Sequence, residues 1–253
     1  MNIDLSNKVA VITGASGELG RVITRTLAGC GADVVIHYHR DKAHAEELLR
    51  EVRGRGVHAM TVQGDITRAD DVQRIKREIA GTLGDPAILV NNAVIQYQWT
   101  TVLEQSIEDY EGQFRSCVLQ NVLMAKAFVP AMIQHHWGRI IAINTECAMQ
   151  NWPSQSAYVA GKRGMDGVLR VLAKEIGENQ ITVNQVAPGW MISDKYRGTP
   201  EEHQPEYEKN VPLKRRGYDQ DIANAVAFLA SDLAAFITGA YIPVCGGNVM
   251  PAI

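Results

Sequence analysis

The chain has 253 residues, with 25 basic and 28 acidic side chains for a net charge of −3, and 21% of its residues are charged. So slight an acidic balance gives no reason to expect a nucleic-acid or anionic-membrane partner. The length suits one α/β domain, and 46% hydrophobic residues are enough for a large core. The opening MNIDLSNKVAVITG has no basic region followed by a long apolar run, and no later 18-residue apolar stretch is evident. The expectation is therefore a cytoplasmic protein without a membrane span. Cys30, Cys117, Cys147 and Cys245 are widely spaced, show no metal-ligand pattern and read as reduced thiols, so no metal site is expected. No repeat or linker divides the chain, and residues 1–253 are expected to form one domain. Short β-branched runs alternate with amphipathic helical windows from end to end, which predicts a parallel sheet covered by helices on both faces.

In chain order, residues 8–13 read as a buried strand, followed at once by Gly14-Ala-Ser-Gly-Glu-Leu-Gly20 and a helical pattern to about residue 28. Glycines at a strand-to-helix turn let the backbone approach a pyrophosphate, and the helix N-terminus offers it free N–H groups. Residues 33–37 are the second strand. The acid that would hold ribose hydroxyls is expected at position 38, where Tyr38 stands, and His39 and Arg40 follow. Arg40 suits a 2′-phosphate, so the pattern favours NADP over NAD, although a loop arginine of this kind is also an ordinary solvated residue. Asp41 is the expected N-cap of the next helix. Residues 57–62 and 87–90 are the third and fourth strands, and Asn91-Asn92-Ala93-Val94 follows the fourth. A helical segment with a dense apolar face runs over 106–134. The run 140–143 ends in Asn144 and Thr145, and 181–184 is the sixth strand. Residues 191–213 carry Pro200, Pro205 and Pro212 with little periodicity, a length that suits a substrate lid. A helix over 221–230 and a strand over 240–244 complete the pattern.

Ser156-Ala157 opens a helix that carries Tyr158 and Lys162 four residues apart, hence on one face. An ammonium so close to a phenol is expected to favour the phenolate and lower the tyrosine's pKa toward neutrality, so that it passes protons at working pH. Thr145, thirteen residues upstream at a strand end, would bring its hydroxyl to the same substrate oxygen. Taken alone, such a Tyr-x-x-x-Lys pair is common on solvated helices.

Together, Thr13-Gly14 with Gly20 and Tyr158-x-x-x-Lys162 resemble the short-chain dehydrogenases/reductases, in particular their 3-ketoacyl reductase-like members. The resemblance covers nearly the whole chain. It implies a single doubly wound Rossmann domain, a seven-stranded parallel sheet of order 3-2-1-4-5-6-7 with helices on both faces. It also implies hydride transfer between NADP(H) and a ketone or secondary alcohol, and a homotetramer. Carried over residue by residue, it makes Thr145, Tyr158 and Lys162 catalytic, with Thr145 at the family's serine. Gly14, Ser16, Gly17, Leu19 and Gly20 would line the cofactor turn, with Arg40 beyond the second strand. Asp65 and Ile66 would lie against the adenine, with Asn92 and Ala93 beside them. Tyr158 and Lys162 would hold the nicotinamide ribose, followed by Pro188 and Gly189, and Met191 and Ser193 would meet the carboxamide.

Three positions depart from the family pattern. Glu18 stands at the middle glycine, where its carboxylate either complements the helix dipole or faces the pyrophosphate. Val94 replaces a glycine and would crowd the turn or push its loop outward. Cys117 falls where the family has a helix asparagine, with Asn121 one turn further on. These departures keep an alternative open, a catalytically weakened dinucleotide-binding or assembly subunit. Trp99, Trp152 and Trp190 follow strand ends and either line a mouth for a bulky apolar ketone or pack the lid.

Overall fold

The computed structural model describes residues 3–251. Seven strands, β1 (Val9–Ile12), β2 (Asp33–Tyr38), β3 (Ala59–Gln63), β4 (Ile88–Asn91), β5 (Gly138–Ile143), β6 (Ile181–Pro188) and β7 (Tyr241–Val244), form one sheet in the order β3-β2-β1-β4-β5-β6-β7. Every pairing is parallel. β6 is the longest strand and runs four residues past its expected end, because β5 on one side and β7 on the other satisfy its backbone through Pro188.

Alternation along the strands divides the core into two. Ala10, Ile12, Ile36, Val90, Ile141 and Val186 face one side, where α1 (Glu18–Gly29), α2 (Lys42–Arg53) and α9 (Asp219–Ala230) pack. Val11, Val35, Leu89, Ile140 and Val183 face the other, under α3 (Ala69–Ala80), α5 (Gln120–Gln134) and α7 (Ser156–Ile176). Asp41 caps α2 as expected, accepting the His44 N–H at 3.2 Å.

The segment expected as one helix over 106–134 is α4 (Ile107–Gln113), then six residues in π winding from Phe114 to Leu119, then α5. Contrary to expectation, its 28 residues are long and apolar enough, by length and composition, to cross a membrane. Its apolar character has a local use, since Met124, Phe128 and Met132 are buried in the second core.

The 191–213 segment is more structured than its sequence suggests. It holds 3-10 turns at Asp194–Tyr196 and Pro200–Glu202 and the one-turn helix α8 (Pro205–Glu208). The organiser lies outside it: buried Arg216 donates to the carbonyls of Trp190 (3.0 Å), Met191 (2.6 Å), Glu201 (2.9 Å) and Glu202 (3.1 Å). A guanidinium satisfies several orphan carbonyls at once, which a segment without a ladder needs.

His37 ties the mouth of the sheet together. Its Nδ1 accepts the Gly14 N–H at 3.1 Å, and its Nε2–H donates to the Gly64 carbonyl at 3.0 Å. Protonation would set an N–H against an N–H, and burial holds the folded pKa down at about 4, below the ordinary 6.5 of a histidine. Because the folded state resists the proton, His37 destabilises the fold progressively as pH falls from 6.5 toward 4. That loss amounts to roughly 3 kcal/mol, and none of it is felt above pH 6.5. Urea denaturation of the wild type should show this loss across the window, and His37→Gln should flatten it. An equally steep decline in the variant would remove His37 as the cause.

Candidate active site

The site begins at the turn between β1 and α1. Thr13 sews this turn to the end of β4, its hydroxyl accepting the N–H groups of Asn92 (2.9 Å) and Ala93 (3.0 Å). The Asn92 amide returns to the carbonyls of Thr13 (3.0 Å) and Gly14 (3.3 Å). Gly14 adopts φ +63°, and a Cβ on Gly20 would sit 2.3 Å from the Gly14 carbonyl oxygen, so both positions require glycine. No side chain caps α1 at Gly17, leaving its first N–H groups open beside Ser16. Leu19 turns away from this opening and packs on the first core. Glycines that a Cβ would fill, and an uncapped helix start, fit a dinucleotide's pyrophosphate.

The three departures have local explanations. Glu18 folds along the helix to pair with Arg21 at 3.1 Å, both side chains partly exposed. Its charge is thereby countered within the first turn. Nearby Asp219, below the glycine turn at the start of α9, has its carboxyl raised to about 6 by burial and by Asp194 and Glu18. Val94 packs on the second core rather than into the turn. Cys117 is 1% exposed, and its Sγ makes only long contacts, to the Gln113 side-chain oxygen at 3.6 Å and the Ser116 hydroxyl at 3.9 Å. A Cβ on Gly161 would stand 3.3 Å from that sulfur, so the thiol fills the space the glycine leaves. Asn121 is already committed, donating to the Cys117 carbonyl at 2.7 Å and accepting from Asn91 at 2.6 Å.

At the far end of the cleft, Tyr38 is buried in the first core and Arg40 is exposed, with no ion pair among the described residues. Asp65 is turned onto Thr67, accepting its N–H (2.9 Å) and hydroxyl (2.7 Å), while Ile66 is buried beside it.

The Thr145–Tyr158–Lys162 constellation assembles where β5 meets α7. The Thr145 hydroxyl accepts the Cys147 N–H at 3.2 Å and lies against the Tyr158 phenol. Tyr97 fixes the start of α7, its hydroxyl accepting the Tyr158 N–H at 2.8 Å, and Trp99 stacks on the Tyr158 ring at 6.0 Å between centroids. Lys162 is 3% exposed and donates to the Ile143 carbonyl at 2.6 Å, with its ammonium 5.7 Å from the Tyr158 ring centroid. The expected lowering of the tyrosine's pKa is absent. Burial raises the Tyr158 phenol well above its usual range and lowers Lys162. The ammonium is drawn to the strand carbonyl and is itself desolvated, so its field does not offset the desolvation of the phenolate.

Beyond β6, Pro188 and Gly189 lead to Trp190, Met191 and Ser193, all partly or fully exposed. Trp190 meets Tyr207 edge-on at 5.6 Å and lies over the Arg216 guanidinium at 4.9 Å, so it packs the 191–213 segment. Trp152 is exposed after α6 (Cys147–Gln150), without an aromatic partner among the described residues. Sequence reasoning missed Tyr97, Asn144, Glu146, Tyr207 and Tyr241, which position the site. The one signal available was a run of polar residues, Asn144-Thr145-Glu146, closing an apolar strand.

Because burial keeps the phenol protonated, Tyr158 should contribute no tyrosinate absorbance below pH 10 in the ligand-free protein. Difference titration at 295 nm between wild type and Tyr158→Phe checks this. A component ionising near neutrality would restore the lysine-lowered pKa.

A family profile described as Enoyl-(Acyl carrier protein) reductase matches residues 14–248. The 3-oxoacyl-(acyl-carrier-protein) reductase FabG of Staphylococcus epidermidis is 35% identical over 254 residues, covering 96% of this chain and 100% of that protein. The FabG of Pseudomonas aeruginosa is 35% identical, over 98% of this chain and 100% of that protein. The 3-oxoacyl-(acyl-carrier-protein) reductase of Synechocystis sp. is 33% identical, over 97% and 98%. A profile over nearly the full length, full-length relatives and the predicted strand order agree, and the chain belongs to the short-chain dehydrogenase/reductase family of enzymes.

Proposed function

We propose that this enzyme reduces a ketone to a secondary alcohol with NADPH. The observation that carries this reading is the meeting of the Thr145 hydroxyl, the Tyr158 phenol and the Lys162 ammonium at the C-terminal end of β5, on the same sheet edge as the glycine turn. When bound, the nicotinamide supplies the hydride. Tyr158 supplies the proton: its buried phenol is fully protonated at neutral pH and donates to the carbonyl oxygen as that oxygen gains charge. Thr145 donates a second hydrogen bond to the same oxygen. Lys162 has spent one of its three donors on Ile143, and the others serve the ribose and the phenolate left after transfer. Gly14, Ser16, Gly17 and Gly20 admit the pyrophosphate, with Leu19 supporting the turn from the core. Asn92 and Ala93 border the turn, Asp65 and Ile66 the adenine, and Pro188, Gly189, Met191 and Ser193 the nicotinamide.

NADPH is favoured because the end of β2 offers no acid to a ribose diol. Tyr38 is buried there, while Arg40 is exposed and free to meet a 2′-phosphate. The related FabG proteins support reduction of an oxo group; the acyl carrier they use is stated of them alone. Trp99, stacked on Tyr158, forms the apolar wall for the substrate, and Trp190 belongs to the segment 191–213, which acts as a lid within a single domain. The weakened-subunit reading is not favoured, since Glu18, Val94 and Cys117 each have a local packing or charge partner. A homotetramer in the cytoplasm is the expected setting. Its support is an apolar groove of about 550 Å³ between α5 and α7, with Val122, Val129, Val168 and Val171 on its walls, and the fully exposed Phe236.

Tyr158→Phe should bind NADPH with little change, read by fluorescence titration, and lose turnover. Substantial ketone reduction by the pure variant would refute the proton donor. Separately, Arg40→Ala should weaken NADPH more than about ten-fold and leave NADH binding nearly unchanged. Equal weakening of both would free Arg40 from any role at the 2′-phosphate.

A further inference from the structure

Glu146 follows Thr145 at the end of β5, is only 4% exposed, and is used by no step of the reaction. Both its oxygens are taken: the Tyr207 hydroxyl donates to Oε1 at 2.8 Å and the Asn248 amide donates to Oε2 at 3.0 Å. Its own N–H donates to the Pro188 carbonyl at 2.9 Å. Tyr207 comes from α8 in the 191–213 segment, and Asn248 from the turn after β7. Two separate pieces of chain thus converge on one side chain adjacent to Thr145, while β6 holds its backbone.

No cation faces this carboxylate among the described residues, and burial holds its carboxyl above the ordinary range. Such burial against neutral donors costs free energy that an apolar residue would avoid. The Tyr207 phenol is fully committed as well, since the oxygen that donates to Glu146 also accepts the Trp190 N–H at 2.9 Å. Gly189 makes room for it. A Cβ there would stand 2.6 Å from the Tyr207 hydroxyl and 3.1 Å from the Cys245 Cα. Tyr207 also walls a cavity of about 260 Å³ with Gly189, Met191, Leu213 and Cys245, so its position shapes the space beneath the segment.

We propose that Glu146 and Tyr207 form a latch holding the 191–213 segment and the C-terminal turn against the Thr145 end of β5. Glu146 is then a positioning residue for substrate binding. It is no proton carrier, because neither oxygen is free. The latch rests on the ketone-reductase reading for its kinetic consequence but not for its structural one, and the test separates the two.

Four variants decide it: Glu146→Ala, Glu146→Gln, Tyr207→Phe, and Glu146→Ala combined with Tyr207→Phe. Hydrogen–deuterium exchange over residues 190–213 is read in the purified, ligand-free protein, and KM and kcat are read with a ketone. Glu146→Ala and Tyr207→Phe should each speed exchange there about ten-fold or more and raise the ketone KM by about as much, with kcat within about three-fold of wild type. The double variant should fall clearly short of the two single effects added together, because the contact the two residues share is lost only once. Glu146→Gln keeps the oxygen that accepts from Tyr207, and the Asn248 amide can turn its oxygen to the new NH2, so this variant should stay near wild type. Unchanged exchange in Tyr207→Phe, additive effects, or a Glu146→Gln as loose as Glu146→Ala would each overturn the latch. Should Glu146→Ala fail to fold, Tyr207→Phe and Glu146→Gln still decide. If the wild type reduces no ketone, the reductase reading fails while the exchange data judge the latch alone.

Discussion

An ammonium buried to 3% exposure needs an acceptor, and among the described residues Lys162 finds it in the Ile143 carbonyl at the end of β5. That requirement fixes the depth and rotation of α7 against the sheet, and with them the position of Tyr158 one turn earlier. Asn144 locks the same junction from the strand side. Its Oδ1 accepts the Thr145 N–H at 2.9 Å, while its amide donates to the Lys162 carbonyl at 3.3 Å and to the Gln185 side chain at 2.7 Å. Gln185 hands on to Asp166 at 2.8 Å, one turn beyond Lys162, and Arg170 closes the chain there. The Tyr241 hydroxyl, from β7, donates to the Thr145 carbonyl. A buried polar network of this kind is stable only when each member is satisfied, so the geometry of Thr145, Tyr158 and Lys162 is specified from behind.

The cofactor end is organised differently, by backbone rather than charge. Thr13, His37 and Asn92 bind the ends of β1, β2, β3 and β4 to one glycine turn through hydrogen bonds to main-chain atoms. Such a mouth is rigid before any ligand enters, which reduces the ordering cost of binding. A carboxylate in the first turn of α1 is compatible with this arrangement because Arg21 lies one turn away and takes it along the helix.

The fold was legible because its signals are local and repeated. Strand runs, the glycine turn and the order of elements follow from periodicity, and the sheet has the expected order throughout. The spacing of Tyr158 and Lys162 put them on one helix face, but spacing carries no information on burial, so the sign of the tyrosine's shift was misjudged. The π winding at 114–119 was hidden for a related reason: Phe114 to Leu119 has ordinary helical composition, and the extra residue is accommodated by packing against α7. Tyr207 and Asn248 lie 61 and 102 residues from Glu146, and nothing within either short segment announces the other. The proline-rich run around 200–212 read as irregular because its order comes from Arg216, just beyond it.

One cause, burial, acts on both titratable partners of the site. Desolvation raises the phenol of Tyr158 and lowers the ammonium of Lys162, since each loses more hydration in its charged form. A negative charge beside Lys162 would act in the opposite direction on the lysine, because it favours the ammonium. A firmly charged Lys162 then favours the phenolate form of Tyr158, which is the form left after proton donation. Burial makes Tyr158 a weak acid, and the same burial would strengthen the effect of any charge placed beside it, because screening inside the protein is weak. The two side chains are thus coupled through their shared burial, and whatever charges Lys162 also makes the phenolate of Tyr158 easier to form.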